Sequence, residues 1–493
     1  MTLQDFFVRI CISCIVGDAS PTASPELKGR VSQVHRFALL ILHQLFLSEY
    51  AVPLSHMNLE HLFLGRLLRT IETTDSYVQI LLLDVIHDTL RLREAAPAEQ
   101  PLASPTEKRA MSMDPISRNS RPSLSASDVR TAPPPPPPIL LKCLQAGLSS
   151  ATSRPVLDSW IAFLTECLPY YADSIFQVVI PLVETFCKEI GSTFSSLSDT
   201  FRVGTKVESK DGAAPESTLI YLLNGLEQVL ARSHDQLISE EARAQLMKNP
   251  DQPQSLFGSM VSGVFQSDAH QSRSATANDR LTVHLAFQDA TRMCYRIWSW
   301  GLGHEAAEQD PASMASFNYT CLRTRNRARR LLEHLFTAET LECLETVIDL
   351  WKNSEDASSK AEVFNLLSAL EASRPRHSMP ALFNSIYSRT NPAALEPSRK
   401  STMTISLEDT TLVNFLVEYA RSLDDDAMDE IWQDCMIFLK DLLSNPFPHR
   451  QNLASLLDFA AILGGKVDNT TFGEQRKMRR ELGVSNSNAA CVD

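Results

Sequence analysis

Three apolar segments near the amino terminus decide the fold class: VSQVHRFALLILHQLFLSEY at Val31–Tyr50, LEHLFLGRLLRTI at Leu59–Ile71 and YVQILLLDVIHDTLRLR at Tyr77–Arg93. In each of them apolar residues recur at the three- and four-residue spacing of an α-helix with one buried face. Asp75 and Ser76 precede the third segment as candidate N-caps for its first turn. Because a short one-sided helix is stable only against a neighbour, these segments predict packed helices.

The same periodicity recurs along most of the chain. Further helices are predicted at Leu157–Leu168, Ile175–Ile190, Ser217–Ala231, Leu281–Trp300, Leu331–Trp351, Ala361–Ala372, Leu412–Leu423, Met428–Leu443 and Leu453–Leu463. In HEAT and armadillo arrays, each helix pair buries its apolar stripe against the next pair. The sequence therefore predicts an all-α protein, a HEAT/armadillo-like α-solenoid of stacked amphipathic helices with long disordered insertions. An irregular helical bundle is the alternative, since no residue signature recurs at a fixed period.

Composition and charge limit the fold class, the kinds of partner and the cellular compartment. The chain has 493 residues, and its 16 glycines against 27 prolines argue against a turn-rich β architecture. A formal charge of −13 disfavours binding of nucleic acid or anionic lipid by the molecule as a whole. Cysteines set among aliphatic residues favour reduced thiols and the cytosol. No uncharged apolar run is long enough to predict a membrane-spanning helix.

Shifts in composition divide the chain into helical blocks and polar segments. Helical repeats are predicted at 1–94, 139–248 and 280–466, a disordered Pro/Ser-rich linker at 95–138, a low-complexity insertion with an apolar island at 249–279, and a tail at 467–493. The linker closes on Pro133–Pro138, which predicts an extended rod acting as a spacer or as a ligand for an aromatic groove. The polar, patternless tail suggests a truncated end.

No motif indicates catalysis, a cofactor or a metal. Phosphate-binding glycine loops and the GxSxG nucleophile elbow are absent. Cys11 and Cys14 form a lone CxxC, which lacks a second ligand pair and is expected to pack on one apolar helix face. The histidines are expected to be isolated helix residues. We therefore predict a non-enzymatic protein without cofactors.

An arginine run is the first candidate contact for a partner or membrane. It is RTRNRARR, with arginines at Arg323, Arg325, Arg327, Arg329 and Arg330. Such a cluster could bind an acidic partner, lipid head groups or RNA, although no interleaved aromatic residue supports RNA. The alternative is a solvated helix face paired with nearby acids.

An apolar island inside the second insertion is the other candidate. In LFGSMVSGVF at Leu256–Phe265, the large apolar residues have no helical stripe to join. They are Leu256, Phe257, Val264 and Phe265. The island either packs back on the solenoid or contacts a partner or bilayer surface.

Several stretches resemble the Dopey family of large fungal and animal proteins. They are Arg154–Leu168 (RPVLDSWIAFLTECL), Ile180–Ile190 (IPLVETFCKEI), Leu256–Phe265, Thr291–Trp300 (TRMCYRIWSW) and Lys466–Gly483 (KVDNTTFGEQRKMRRELG). None of these stretches is a chemical motif, so the match is one of general sequence character. Dopey proteins are much longer, which makes this chain an expected internal or C-terminal-region fragment.

The resemblance implies a function as well as a fold. It implies a peripheral membrane scaffold of the Golgi, trans-Golgi network and endosomes that acts in vesicle-mediated protein traffic and cell morphogenesis. The implied partners are a large Arf-exchange-factor-like scaffold and an aminophospholipid flippase, with no nucleic acid and no small-molecule substrate. A helical adaptor unrelated to membranes, nuclear or cytoskeletal, is the alternative.

Overall fold

A computed structural model describes residues 2–17, 22, 24–72, 75–95, 135–203, 214–246, 262–301, 311–469, 480 and 483. Over these ranges the chain is built of α-helices joined by loops and short 3-10 turns, without a strand. It divides into two compact units, Met1–Asp173 and Ser174–Asp493. Among the described helices, none combines the length and apolar character needed to cross a bilayer.

The described part of the first unit is a stack of six helices. They are α1 (Leu3–Val16), α2 (Pro25–Phe46), α3 (Leu59–Thr70), α4 (Ser76–Ala95), α5 (Pro138–Ser149) and α6 (Leu157–Cys167). Each helix packs mainly on the next one or two: α1 on α2, α2 on α4, α3 on α4 and α5, and α4 and α5 on α6. Packing limited to near neighbours in the chain is the mark of a helical repeat array.

A buried glutamine joins the helices of this unit. The Gln79 amide nitrogen donates to the Ile71 carbonyl and to Thr152 Oγ1, both at 3.2 Å. Its carbonyl oxygen accepts from Ser153 Oγ at 3.1 Å and from Trp160 Nε1 at 3.2 Å. Because buried polar groups are costly when unpaired, this network specifies how α4 meets α6 and the turn before it.

The second unit shows the same pattern over ten helices in the ranges that the structure describes. They are α7 (Ile175–Val203), α8 (Pro215–Leu246), α9 (Ser262–Trp298), α10 (Pro311–Ala338), α11 (Thr340–Lys352), α12 (Ala357–Ala369), α13 (Pro375–Thr390), α14 (Asp409–Ser422), α15 (Met428–Ser444) and α16 (Leu453–Asn469). Again each helix packs on its near successors, for example α7 on α8 and α9, α11 on α12 and α13, and α14 on α16. The prediction of an all-α, HEAT-like solenoid is confirmed.

Several local predictions are also confirmed. Asp75 caps α4, since its Oδ1 accepts from the backbone N–H groups of Tyr77 at 2.9 Å and Val78 at 3.0 Å. The helix predicted at Met428–Leu443 is α15, and its buried face includes Ile431, Trp432, Cys435, Met436, Leu439, Leu442 and Leu443. Gly301 follows the end of α9 with a φ of 78°, the left-handed conformation that a glycine after a helix commonly adopts.

Other local predictions are wrong or displaced. The single helix expected at Leu331–Trp351 is broken at Glu339, whose φ of −139° ends α10 and starts α11. Helix α13 was not predicted, because Pro380 and several serines weaken its periodicity. Helix α9 begins at Ser262, inside the range 249–279 predicted as an insertion.

The two compact units are a division of a different kind from the helical blocks and polar segments predicted from composition. Helices α5 and α6 follow the segment 95–138 and pack on α3 and α4 within the first unit. The boundary between the units lies at Asp173 and Ser174. The predicted blocks and linkers themselves stay a prediction. Residues 96–134 and most of the tail at 467–493 lie outside the described residues.

Candidate interaction surfaces

The arginine run lies on α10, and two of its members face α8. Arg323 Nη1 lies 2.5 Å from Glu216 Oε1. Arg327 forms an ion pair with Glu227, and its Nε donates to Asn224 Oδ1 at 2.6 Å. These contacts join α10 to α8. Arg327 and both glutamates are shielded from water, whereas Arg323 is about half exposed.

Two further arginines cap the ends of other helices. Arg325 Nε donates to the carbonyl of Trp298, the last residue of α9, at 2.7 Å, and its guanidinium lies 5.6 Å from the centroid of a ring of the same tryptophan. Arg329 Nη1 donates to the carbonyl of Ala369, the last residue of α12, at 3.1 Å. Cations at these positions also interact favourably with the negative ends of the helix dipoles.

Arg330 differs from the other four because its side chain is exposed and forms no hydrogen bond or ion pair with the described residues. It lines a cleft of about 370 Å³ with Arg329 and Arg374, and Glu333 and Glu371 offset their charge. The arginine run is therefore mainly a set of contacts within this chain. That the run binds a partner stays a prediction.

The apolar island cannot be placed in the same way. Leu256 and Phe257 lie outside the described residues. Val264 and Phe265 lie in the first turn of α9, but their side chains are outside the description. Its role as a contact with a partner or membrane stays a prediction.

The lone CxxC separates into one buried and one exposed cysteine. Cys11 is buried against α2, as predicted, whereas Cys14 is exposed. The expectation that both pack on one apolar face is wrong for Cys14, because α1 has apolar residues on more than one side.

An ionic cluster that the sequence did not predict joins α8, α9 and α11. His284 is buried with its ring nitrogens 3.3 Å from Glu339 Oε1 and 3.2 Å from Glu342 Oε1. His234 Nε2 lies 3.4 Å from the same oxygen of Glu339. Neither nitrogen of His284 meets the geometry of a hydrogen bond, so these contacts are best described as ion pairs.

The cluster shifts the pKa values of its members in opposite directions. Burial alone would lower the pKa of His284, but Glu339 and Glu342 raise it to about 9. Burial alone would raise the pKa of Glu339, but His234 and His284 lower it to about 2. A buried imidazolium between carboxylates is thus the stable state at neutral pH. Over the described ranges, no group of His, Cys, Asp and Glu side chains is arranged to hold a metal ion.

Two buried carboxylates on α11 hold the segment between α13 and α14. Glu345 lies 2.8 Å from Arg389 Nη1 and accepts from Ser401 Oγ at 2.9 Å. Glu342 accepts from the backbone N–H of Thr402 at 2.9 Å. Breaking a buried pair of this kind leaves an unpaired charge, so these contacts fix the segment where it passes α11.

An open groove of about 590 Å³ lies between α12 and α16, with α14 as its floor. Its lining residues come at helical spacing: Ala357, Lys360, Ala361 and Phe364 of α12, Asn414, Val417, Glu418 and Arg421 of α14, and Ser455 and Asp458 of α16, with Trp351 of α11 behind them. One face of each helix therefore contributes to the groove.

Aromatic side chains form the inner wall of this α14 groove. Trp351 and Phe364 have ring centroids 6.5 Å apart, and both pack on Phe415 beneath them. The ammonium group of Lys360 lies 5.4 Å from the centroid of a ring of Trp351. Such rigid rings offer contact area at little entropic cost.

The charges of the α14 groove are partly paired. Glu418 and Arg421 form an ion pair at 2.5 Å on its floor, and Ser455 Oγ donates to Asn414 Oδ1 at 3.2 Å. None of the lining residues is a histidine or cysteine. The arrangement is suited to recognition of a protein segment.

Comparison with known proteins decides the family. Residues 57–231 match the family model described as the DOP1 TPR domain, and residues 415–486 match the one described as DOP1 C-terminal. Protein dop1 of Emericella nidulans is 48% identical over 490 residues, which is 98% of this chain. The chain belongs to the Dopey family. The resemblance found in the sequence is thereby confirmed.

This Dopey chain is much shorter than the relatives it matches. It spans 26% of the Emericella nidulans protein. Protein DOP1 of Saccharomyces cerevisiae is 26% identical over 354 residues, covering 69% of this chain and 20% of that protein. The chain therefore spans about a quarter or less of the curated relatives it matches.

Solved structures resemble this Dopey chain only weakly. The karyopherin Kap121p bound to the SUMO protease Ulp1p has a TM-score of 0.21 and 13% identity, covering 98% of this chain and 48% of the karyopherin. A circular tandem repeat protein with a novel repeat topology also has a TM-score of 0.21, with 11% identity, covering 99% of this chain and 96% of that protein. The fold assignment rests on the helix packing itself.

The two Dopey matches can be placed on the observed helices. The DOP1 TPR match begins just before α3 and ends within α8. The DOP1 C-terminal match begins in α14 and includes α15 and α16, and thus the groove residues Val417, Glu418 and Asp458. Helix α12, the opposite wall of the α14 groove, lies outside both matches.

Proposed function

We propose that this Dopey-family chain is a non-enzymatic scaffold in Golgi and endosome vesicle-mediated protein traffic and in cell morphogenesis, binding partner proteins along its stacked helices. The observation that carries the proposal is its membership of the Dopey family, given by 48% identity over nearly its whole length. Its helical stacks support a scaffold, since repeat arrays offer long surfaces for partners.

The partners and the location belong to the same proposal. We propose protein partners of two kinds, a large Arf-exchange-factor-like scaffold and an aminophospholipid flippase. The chain would lie in the cytoplasm, associated peripherally with Golgi, trans-Golgi network and endosome membranes through those partners. Its charge of −13 favours recruitment by partner proteins over direct binding to anionic lipid.

We infer that the α14 groove is one surface that a partner uses. Its inner wall of Trp351 and Phe364 supplies the kind of aromatic contacts that dominate protein interfaces. Its lining follows helical faces, which suits a helix or extended segment laid between α12 and α16. The paired charges on the floor would orient such a segment.

A fluorescently tagged gene product in its own cell tests the trafficking role. We expect overlap with Golgi and endosome markers for the unchanged protein. Ala361 is exposed and lines the α14 groove, so Ala361→Arg places a long, positively charged side chain in the groove. Because this side chain should block the partner segment, we expect the Golgi and endosome fluorescence to become diffuse. Asn365→Arg is the matched control, because Asn365 is exposed on the same helix but outside the groove.

The outcomes separate the proposal from its alternative. A diffuse or nuclear signal for the unchanged protein would favour an adaptor unrelated to membranes and would contradict the trafficking role. Golgi overlap that both variants retain would leave the traffic proposal standing but would exclude the α14 groove as the recruiting surface.

A further inference from the structure

Helix α1 carries two apolar stripes, although only one of them is buried. Val8, Cys11 and Ile15 pack inward, and α1 packs mainly on α2. A second stripe, at the same three- and four-residue spacing, is exposed. It consists of Leu3, Phe7, Ile10 and Cys14, and the side chain of Leu3 is 72% exposed. Helices that are apolar on two sides normally have neighbours on both.

The exposed face of α2 becomes apolar and uncharged from Gln33 onward, whereas the first two turns expose Glu26, Lys28 and Arg30. Arg36, at the border of this face, forms an ion pair with Asp75. Between Gln33 and Leu47 the exposed residues of α2 are Gln33, Val34, Phe37, Leu40, Ile41, Gln44 and Leu47. Phe37 is 60% exposed and Ile41 48%. A solvent-facing helix surface ordinarily carries Lys, Glu or Arg, so this face has the composition of an interface.

This apolar surface is concentrated at one edge of the first unit. More than half of the large apolar side chains left exposed among the described residues fall in the first 52 positions. Single exposed apolar residues are ordinary, but adjacent helices with whole exposed stripes indicate a binding surface. We call the exposed stripe of α1, together with the exposed residues of α2 from Gln33 to Leu47, the α1–α2 face.

Three kinds of occupant could cover the α1–α2 face: a further helical repeat, a second copy of the chain, or a membrane surface. Membrane-surface helices carry rows of Lys and Arg beside the apolar face. The exposed part of α1 has only Arg9 as a cation, and from Gln33 to Leu47 the exposed residues of α2 include only the amides of Gln33 and Gln44 as polar groups. Lys28 and Arg30 are exposed near the start of α2, outside the apolar stretch, and they form no row along it. Uncharged amides among aliphatic and aromatic side chains suit the packing of helix on helix.

The length of the relatives favours a further repeat over a second copy. The aligned region is 26% of the Emericella nidulans protein, and the DOP1 C-terminal match lies near its end, at 415–486. About three quarters of that relative's sequence therefore lies outside the aligned region. A match described as C-terminal at the far end of this chain favours a place ahead of α1 for much of it. In a repeat array, the face left open at an edge is the one that the adjoining repeat covers.

We propose that the α1–α2 face is the docking surface for a further amphipathic helical repeat, formed by sequence of the longer Dopey relatives that lies outside the region aligned with this chain. The exposed stripe of α1 and the uncharged face of α2 receive the apolar side of that repeat and continue the stack. This inference is independent of the proposed trafficking role.

Cys14 is a reporter for the occupancy of this face. It lies on the exposed stripe of α1 and is the one exposed thiol among the described cysteines. Its alkylation by N-ethylmaleimide would be followed residue by residue by mass spectrometry. This 493-residue chain would be compared with a chimera. In the chimera, Thr2 is preceded by about 80 residues, the length of two HEAT repeats, taken from the Emericella nidulans relative immediately ahead of the aligned region.

We expect Cys14 to react at least tenfold more slowly in the chimera at every protein concentration. Phe7→Asp, on the same stripe, should restore the faster rate in the chimera. Ile437→Asp on α15, a comparably exposed apolar residue elsewhere, should leave the protection intact. Circular dichroism and thermal unfolding of each variant would show that the helices are retained.

Three results would overturn the proposal. Equal reactivity of Cys14 in the chain and in a folded chimera would mean that no preceding repeat covers the face. Protection of the chain alone that grows with its concentration would assign the face to a second copy. Protection of the chain alone by phosphatidylcholine–phosphatidylserine vesicles would assign it to a lipid surface.

Discussion

Gly147 on α5 faces the indole ring of Trp160 on α6, which is completely buried. A Cβ atom at position 147 would lie 2.2 Å from that ring, far inside van der Waals contact. The missing side chain therefore sets how closely the two helices approach. The indole cannot move away freely, because its Nε1 also donates to Gln79.

We expect Gly147→Ala to lower the free energy of unfolding by about 1–3 kcal/mol, the usual cost of overpacking a core. Thermal or urea unfolding would measure this. Gly65→Ala on α3 is the matched control, since nothing lies within 4 Å of its added Cβ. That change should be neutral or should stabilise by about 0.5–1 kcal/mol, through helix propensity. Equal effects of both changes would contradict the close approach of α5 and α6.

His284 makes stability depend on pH. Its pKa in the folded state, about 9, lies above the ordinary value of 6.5, so its contribution is complete below pH 6.5 and is lost as the pH rises through 9. The pKa of Glu339 is lowered to about 2 from 4.5, so its contribution is complete above pH 4.5 and is lost as the pH falls toward 2. The stabilising contributions of both groups are therefore complete between pH 4.5 and pH 6.5.

We expect the free energy of unfolding to fall by on the order of 2 kcal/mol between pH 6.5 and 9 in the unchanged protein. His284→Gln should lower stability near pH 6 and remove much of that alkaline decline, while His61→Gln, at an exposed position on α3, should change neither. Chemical denaturation across this pH range would show the difference. An alkaline decline that is unchanged in His284→Gln would exclude the ionic cluster as its source.

At the scale of the element, α10 shows why a charge run does not by itself identify a binding surface. The sequence shows five closely spaced arginines, but their partners lie on α8, α9 and α12, more than 20 residues away in the chain. Local spacing cannot reveal such partners, since they come together only through packing. In the structure Arg327 is bound by Asn224 and Glu227. Arg330, on the same helix, forms no hydrogen bond or ion pair with the described residues.

We expect Arg327→Met to lower the free energy of unfolding by about 2–3 kcal/mol, because it leaves Glu227 short of a partner in a shielded position. Arg330→Met, the matched control on the same helix, should change stability by less than about 0.5 kcal/mol. Denaturant unfolding of the two variants provides the comparison. A larger loss for Arg330→Met would contradict the contacts described for α10.

The elements that could be predicted are those with strong one-sided periodicity. Helices α3, α4, α6 and α15 begin within one residue of the predicted positions, because their apolar stripes are regular and their neighbours reinforce them. Helix α13 was missed, since its stability comes from tertiary contacts such as Arg389 with Glu345 rather than from its own pattern. The α14 groove and the ionic cluster were missed for the same reason, as each joins residues from at least three helices.

The segment 96–134 separates α4 from α5, although α5 packs on α3 and α6 on α4. We therefore expect replacement of residues 100–130 by a shorter Gly/Ser segment to leave the melting temperature unchanged or slightly higher, since closing a shorter loop costs about 0.6 kcal/mol less per halving of its length. A shuffled sequence of the original length is the control and should melt like the unchanged protein. Loss of cooperative unfolding in the shortened variant alone would show that the segment supports the first unit.

In the molecule as a whole, the fold is determined by buried apolar residues, whereas the function depends on surface residues. The helical repeat class follows from amphipathic periodicity and is seen in both units, where each helix packs on its near successors. Partner choice depends on surface residues, which periodicity constrains least. The α14 groove and the α1–α2 face are such surfaces, and their proposed occupants differ: a partner segment for the first and a helical repeat for the second.

Proximity labelling in its own cell, with the labelling enzyme fused to the gene product, tests most directly whether this protein works as a trafficking scaffold. We expect the labelled set to contain a large Arf-exchange-factor-like protein and an aminophospholipid flippase together with Golgi and endosome proteins. Ala361→Arg should deplete these partners, whereas Asn365→Arg should not. A labelled set made up of nuclear or cytoskeletal proteins, unchanged by either substitution, would contradict the trafficking role.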